Sequence, residues 1–293
     1  VGAVPIIAEI DESLGIDAAD VEKKITSRTK AVIPVHMMGL PANMDAVMAV
    51  AKKHGVKVLE DACQADGGSY HGKRLGSIGD ACGFSFNHFK IISCGEGGAV
   101  TTNDDEIYYR ALVHHDGGCA FRDHAAEVSV PFFAGSNFRM NEILSAILRV
   151  QLTRLDGILS KLRAEKKLMR EELASVSAFR LSPVNCVEGD CGVTLGLLFD
   201  SVEESQSFAQ RLNEAGVGCG SPYDSGIHVY WNWEPILNQS GSYHPMRDAY
   251  KQTDVKYEYN EDMCPRTKDI LARTQYVGTS ISRSKDDLMD VIA

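Results

Sequence analysis

A lysine set in an almost wholly apolar run is the first residue of this sequence that could do chemistry. Lys90 lies within Phe84-Ser85-Phe86-Asn87-His88-Phe89-Lys90-Ile91-Ile92, and five of its neighbours there are Phe or Ile. A lysine buried while charged must be paired or give up its proton. A desolvated amine with a depressed pKa is a good nucleophile, of the kind that forms Schiff bases. The alternative is a stem packed on the apolar run with its amine reaching water. The Gly95-Glu96-Gly97-Gly98 stretch that follows lets the backbone turn tightly or approach a ligand closely. Upstream, Asp61 in Glu60-Asp61-Ala62-Cys63-Gln64 is the acid best placed to act with Lys90.

The elements that must position these two groups follow from pattern. Thr29–Val35 reads as a buried strand. Asn43 fits a helix N-cap, with Met44, Val47, Met48 and Ala51 on one face and Gly55 at the C-terminal stop. Val56–Leu59 reads as the next strand. Strand, helix, strand implies a right-handed crossover and a parallel sheet. Ala81–Phe86 is a further strand, so Asp61 and Lys90 each follow a strand's carboxyl end, where open parallel sheets bind ligands. A lone acid in that place is also a common helix cap.

Composition narrows the function classes. The 293 residues suffice for a large core and two domains. The 44% hydrophobic and 24% charged content is that of a soluble globular protein. A net charge of −10 argues against nucleic acid or an anionic membrane as partner. No apolar run reaches the length of a membrane span. The apolar start, Val1 to Ile7, lacks a basic region and reads as a strand, not a signal peptide. Eight scattered cysteines (Cys63, Cys82, Cys94, Cys119, Cys186, Cys191, Cys219 and Cys264) form no C-x-x-C pair. They read as reduced thiols, with no disulfide framework and no metal site, and a cytoplasmic location is expected.

Further along, Ala99–Thr102 reads as a strand and Asp104 to about His115 as a helix. His114 to Phe138 is irregular, and loops of that length are usually functional or mobile. Asn141 caps a long helix that continues to about Ala174. Beyond it, strands at Val193–Phe199, Val217–Gly220 and Gln275–Ile281 alternate with helices at Val202–Glu214, after Cys264-Pro265, and after Ser284. The expected organisation is a large domain over residues 1–160 and a small α+β domain over 161–293. Tyr223–Pro235, with His228, Tyr230, Trp231 and Trp233, could line a pocket or simply cover the small domain.

Several motifs occur together in one order: Glu60-Asp61-Ala62-Cys63-Gln64, Gly76-Ser77-Ile78-Gly79-Asp80, Phe84-Ser85-Phe86 with Lys90, Gly95–Val100, and Asn137-Phe138-Arg139-Met140-Asn141-Glu142. As a set they resemble the DegT/StrS-type sugar aminotransferases and cover most of residues 1–160. The resemblance implies an α/β fold-type I pyridoxal-phosphate architecture, a mostly parallel sheet sandwiched by helices plus the small C-terminal domain. It implies pyridoxal 5′-phosphate as cofactor, linked covalently to Lys90. Asp61 would pair with the pyridine nitrogen, Gln64 would lie against the ring, and Ser85 would donate to the phosphate. Asn137 would reach the phosphate of a partner subunit, so the active unit would be a homodimer with shared sites. Family members carry a further N-terminal segment whose helix N-terminus holds the phosphate, and this sequence begins after it.

Cys264-Pro265-Arg266-Thr267 and the Trp-rich loop resemble the 8-amino-3,8-dideoxy-octulosonate transaminase type, which implies a role in cell-surface polysaccharide. On the substrate side the resemblance points to His228, then His115 and Tyr223. The implied reaction moves an amino group from glutamate or glutamine to a keto- or aldehydo-sugar. A related dehydratase on the same fold carries histidine in place of the lysine. A catalytically silent regulatory or binding homologue would not need the full set Asp61, Gln64, Ser85, Lys90 and Asn137.

Overall fold

The computed structural model describes residues 2–118, 123–254 and 256–293. In chain order, helix α1 (Ala18–Lys24) precedes strand β1 (Ala31–Val32), helix α2 (Met44–His54) and strand β2 (Lys57–Asp61). A short hairpin of β3 (Ser69–Tyr70) and β4 (Lys73–Arg74) leads to β5 (Ala81–Ser85) and β6 (Gly98–Thr102). Helices α3 (Asp105–His115) and α4 (Glu142–Glu172) follow. Then come β7 (Arg180–Leu181), β8 (Thr194–Leu198), α5 (Val202–Glu214), β9 (Cys219–Gly220) and the single turn α6 (Glu234–Leu237). Helix α7 (Pro265–Ala272), strand β10 (Thr274–Gly278) and helix α8 (Lys285–Ile292) end the chain.

Two four-stranded sheets result. The first has the order β1-β2-β5-β6. Its β1, β2 and β5 are parallel, and β6 runs antiparallel to β5. The crossover between β1 and β2 is α2. There the Asn43 side chain accepts from Ala46 N–H, and Gly55 stops the helix at φ 66°, a left-handed conformation that favours glycine. Met44, Val47 and Ala51 pack inward against Val32, Val58 and Cys82. The second sheet, β7-β8-β10-β9, is antiparallel throughout. Leu195, Leu197 and Phe199 bury one side of it with Met169 and Leu288. Helix α4 serves both sheets, and residue 160, the expected domain boundary, falls inside it. Its C-terminal half buries Leu159, Leu162 and Met169, whereas Ile143, Ile147 and Val150 near its start are 70%, 43% and 60% exposed.

One expectation is corrected. The segment 2–9 is not a strand. Its contacts are single bonds to several elements: Glu9 O accepts Asp17 N–H at 2.9 Å, Ile7 O accepts from Lys24 Nζ at 3.0 Å, and the Glu9 carboxylate accepts Thr267 N–H at 2.7 Å. The Phe84–Ile92 run is not uniformly buried. β5 ends at Ser85, and Asn87 turns the chain by accepting Phe89 N–H with its side chain and Lys90 N–H with its carbonyl. Phe89 therefore faces outward, 81% exposed, while Phe86 and Ile92 are buried. The aromatics of 223–233 mostly pack: Tyr230 is 4% exposed and donates to Glu261 O, and the Tyr223 ring lies tilted against Trp231 with centroids 4.9 Å apart. Cys119 lies outside the described residues, as does part of the 114–138 loop; the other seven cysteines are free.

Candidate active site

Parallel pairing aligns the carboxyl ends of β2 and β5. Asp61, the last residue of β2, is in register with Gly83 of β5. A side-chain carbon built on Gly83 would meet no atom within 4 Å, so the space beside the end of β2 is open. Asp61 is half-buried, and its Oδ1 accepts Cys63 N–H at 3.0 Å. No cation among the described residues pairs with it. Lys90 is also half-buried. Its amine makes no hydrogen bond or ion pair among the described residues, although its charge acts on Cys63, Asp66 and His228. A carboxylate at the end of β2 and an amine in the turn after β5, both without a charge partner among the described residues, form an incomplete set, since partly buried charges are normally matched.

The floor beneath this opening is held by buried polar groups. Glu60, 1% exposed, accepts from Gly76, Ile78 and Gly79 N–H at 2.7–2.8 Å and from His36 Nε2 at 3.1 Å. His36 Nδ1 in turn accepts Ala42 N–H at 3.1 Å. That bond fixes the Nε2-protonated tautomer. Burial alone would raise the Glu60 pKa, but the bonds from His36 and the three backbone N–H groups outweigh it and hold the carboxylate below its ordinary range. The strand's alternation was the available signal for Glu60, because Val58 and Glu60 share the inward face of β2. Asp66, 2% exposed, has both carboxylate oxygens buried without a hydrogen-bond partner. Burial pushes its pKa up to about 7 against the opposing influence of the Ile92 backbone and the Lys90 charge.

The remaining sequence-derived residues are placed unequally. Gln64 follows the β2 end, and its Oε1 accepts Met38 N–H at 2.8 Å. Its Nε2 lies 3.2 Å from His228 Nε2, so the 225–229 segment reaches the same opening from the other sheet's side. This contact spans 164 residues and has no signature in the sequence. Ser85 ends β5 and accepts only a long 3.5 Å bond from Asn87 N–H, leaving its hydroxyl proton free to donate. Asn137 is exposed and sits in a bridge with Asp116. Its Oδ1 accepts Arg139 N–H, and the Arg139–Asp116 ion pair at 2.5 Å braces the loop. His115 donates from Nδ1 to Leu112 O at its own helix end. Tyr223 lines a separate cavity of about 530 Å³ with Cys219, Lys268 and Gln275. Neither His115 nor Tyr223 has a bond to Gln64 or Lys90.

A model of the DegT/DnrJ/EryC1/StrS aminotransferase family matches residues 1–293. The chain belongs to that family. The dTDP-3-amino-3,6-dideoxy-alpha-D-galactopyranose transaminase of Aneurinibacillus thermoaerophilus is 43% identical over 157 residues, 53% of this chain and 42% of its own length. Spore coat polysaccharide biosynthesis protein SpsC of Bacillus subtilis (strain 168) is 33% identical over 306 residues, 99% of this chain and 72% of its own. The crystal structure of 3-amino-5-hydroxybenzoic acid (AHBA) synthase superposes with a TM-score of 0.77 at 26% identity, covering 99% of this chain and 73% of that one. The chain spans less than half the length of several curated relatives it matches. Among the described residues no helix is long and apolar enough to cross a membrane, and no His, Cys, Asp or Glu cluster suits a metal ion.

Proposed function

We propose that this chain carries the cofactor and sugar site of a pyridoxal-phosphate-dependent sugar aminotransferase. The observation that carries the reading is that Asp61, at the end of β2 with open space at its register partner Gly83, and Lys90, in the turn that follows β5, both lack a charge partner among the described residues. The donor set suits the cofactor: an amine for its aldehyde, a carboxylate for its ring nitrogen, the Gln64 amide beside the ring, and the Ser85 hydroxyl for the phosphate. When bound, the cofactor supplies an electron sink for the carbon that loses its proton. Asp61 holds a proton on the ring nitrogen by charge pairing. Lys90 Nζ would hold the cofactor and would serve as the base that moves the donor's Cα proton, a role typically worth ~10²–10⁴-fold.

Residues 1–160 form the cofactor unit and 161–293 the smaller unit in this reading. The donor is glutamate or glutamine. The acceptor is a keto- or aldehydo-sugar, with an eight-carbon octulosonate for lipopolysaccharide as the specific candidate. His228 stands on the sugar side, with His115 and Tyr223 as outer candidates. The enzyme works in the cytoplasm as a homodimer in which Asn137 serves the partner's phosphate. The exposed apolar side chains of Phe89, Phe138, Ile143, Ile147 and Val150 support a second copy as their cover. The test is to load the protein with pyridoxal phosphate, reduce it with borohydride and map the modified peptide. The cofactor mass is expected on Lys90 and absent in Lys90→Ala. Label on another lysine, or none, sinks the reading.

A further inference from the structure

We propose that His228 is a positioning residue that holds Gln64 as a hydrogen-bond donor toward the Lys90 opening, and that it does so only as a neutral imidazole protonated at Nδ1. The proposal rests on the functional reading for its consequence but not for its geometry. Gln64 Oε1 accepts Met38 N–H at 2.8 Å, which fixes the amide so that Nε2 faces His228. An amide NH2 cannot accept a hydrogen bond. His228 Nε2, 3.2 Å away, must therefore be the acceptor, and the ring proton must sit on Nδ1. Nδ1 lies 3.0 Å from Ser225 Oγ, which also accepts His228 N–H at 3.1 Å. The Ser225 hydroxyl can accept an Nδ1–H at this distance, so its placement is compatible with the same tautomer.

Two further observations agree. Met38 is a non-glycine residue at φ 55°, a backbone state that persists only where surroundings fix it. The strained turn is what presents its N–H to Gln64. Partial burial and the Lys90 charge both push the His228 pKa down, which favours the neutral acceptor. The titratable groups nearest the pair in sequence are Glu60 and Asp61 in β2, Cys63 and Asp66 around Gln64, and Tyr223 and Asp224 before Ser225. Protonated at Nε2, the ring would confront Gln64 donor to donor. The amide would then swing out, and its second N–H would be lost from the opening. The loop on the second sheet's side therefore controls a group on the cofactor side.

The test begins with the full chain free of cofactor, where long-range ¹⁵N–¹H spectra of the histidine rings report tautomer and titration. His228 is expected as the Nδ1–H form with a midpoint below the ordinary value of about 6.5. Gln64→Glu replaces the donor with a carboxylate and should raise that midpoint by at least about one unit. An Nε2–H tautomer in the wild type, or an unchanged midpoint in Gln64→Glu, overturns the proposal whatever the enzyme's reaction. Pyridoxal phosphate affinity is the second readout. It should fall about five- to tenfold in His228→Ala, the value of one hydrogen bond. In the wild type it should weaken as pH drops through the His228 midpoint. His228→Asn, which keeps a neutral acceptor, should retain affinity without that pH dependence. Equal affinity in His228→Ala and wild type also overturns it.

Discussion

Replacing Glu60 by Gln tests how the opening is held up. The change keeps size and shape and removes one acceptor oxygen. Oε1 now serves Ile78 and Gly79 N–H, while Oε2 serves Gly76 N–H and His36 Nε2–H. An amide can keep its oxygen on one pair only. The other pair, buried for Gly76 and His36 and partly buried for Ile78 and Gly79, would face an NH2 group. His36 cannot escape by switching tautomer without abandoning Ala42 N–H. Two buried donors stranded at ~1–3 kcal/mol each give a loss of about 2–6 kcal/mol, against a total stability of ~5–15 kcal/mol. Urea unfolding of both proteins at pH 7 measures this directly. The Glu60 carboxylate is depressed in the folded state, so its contribution is fully present above the unfolded value of about 4.3 and is lost as pH falls through the lower folded value. The gap between wild type and Glu60→Gln should accordingly close on acidification below about pH 4. A difference under about 0.5 kcal/mol at pH 7, within the range of ordinary surface changes, or a gap that widens in acid, would refute the reasoning.

Asp66 titrates in the opposite sense. Its folded pKa is raised to about 7, so its contribution is intact below the unfolded value and is lost as pH climbs toward 7. Asp66→Asn should gain on the wild type by up to about 4 kcal/mol between pH 4 and pH 8, read from unfolding curves at each pH; a flat difference removes the claim of a desolvated acid. Asp61→Asn should retain covalent attachment of the cofactor at Lys90 and lose orders of magnitude in turnover, and comparable turnover would end Asp61's role at the ring nitrogen. Mixing Lys90→Ala with Asn137→Ala subunits should restore part of the activity, because a shared-site dimer then holds one site free of both lesions. No recovery, with exchange of subunits verified, counts against sharing.

What the sequence by itself determined was local. Helix α2 is bounded by Asn43 and Gly55, and α8 by the reciprocal bonds of Ser284 and Asp287. Those signals act within one turn of the chain and need no tertiary partner. Strand, helix, strand likewise implied parallel β1 and β2, and so put Asp61 and the approach to Lys90 at the same edge. The hairpin turn at His71 and Gly72, both with positive φ, and the Asp17 cap of α1 carried signals of the same local kind. Only the tertiary structure decided the rest. Phe89 is exposed because β5 ends four residues before it, which hydrophobicity alone does not reveal. Glu9 reaches α7, 258 residues on, through its carboxylate, which accepts Thr267 N–H. Glu60, Asp61 and Asp66 are alike as acids, yet folding gives one four donors, one an unpaired place at an opening, and one no partner. The meeting of Gln64 with His228 depends on how two sheets pack, and that packing is set by contacts far apart in sequence.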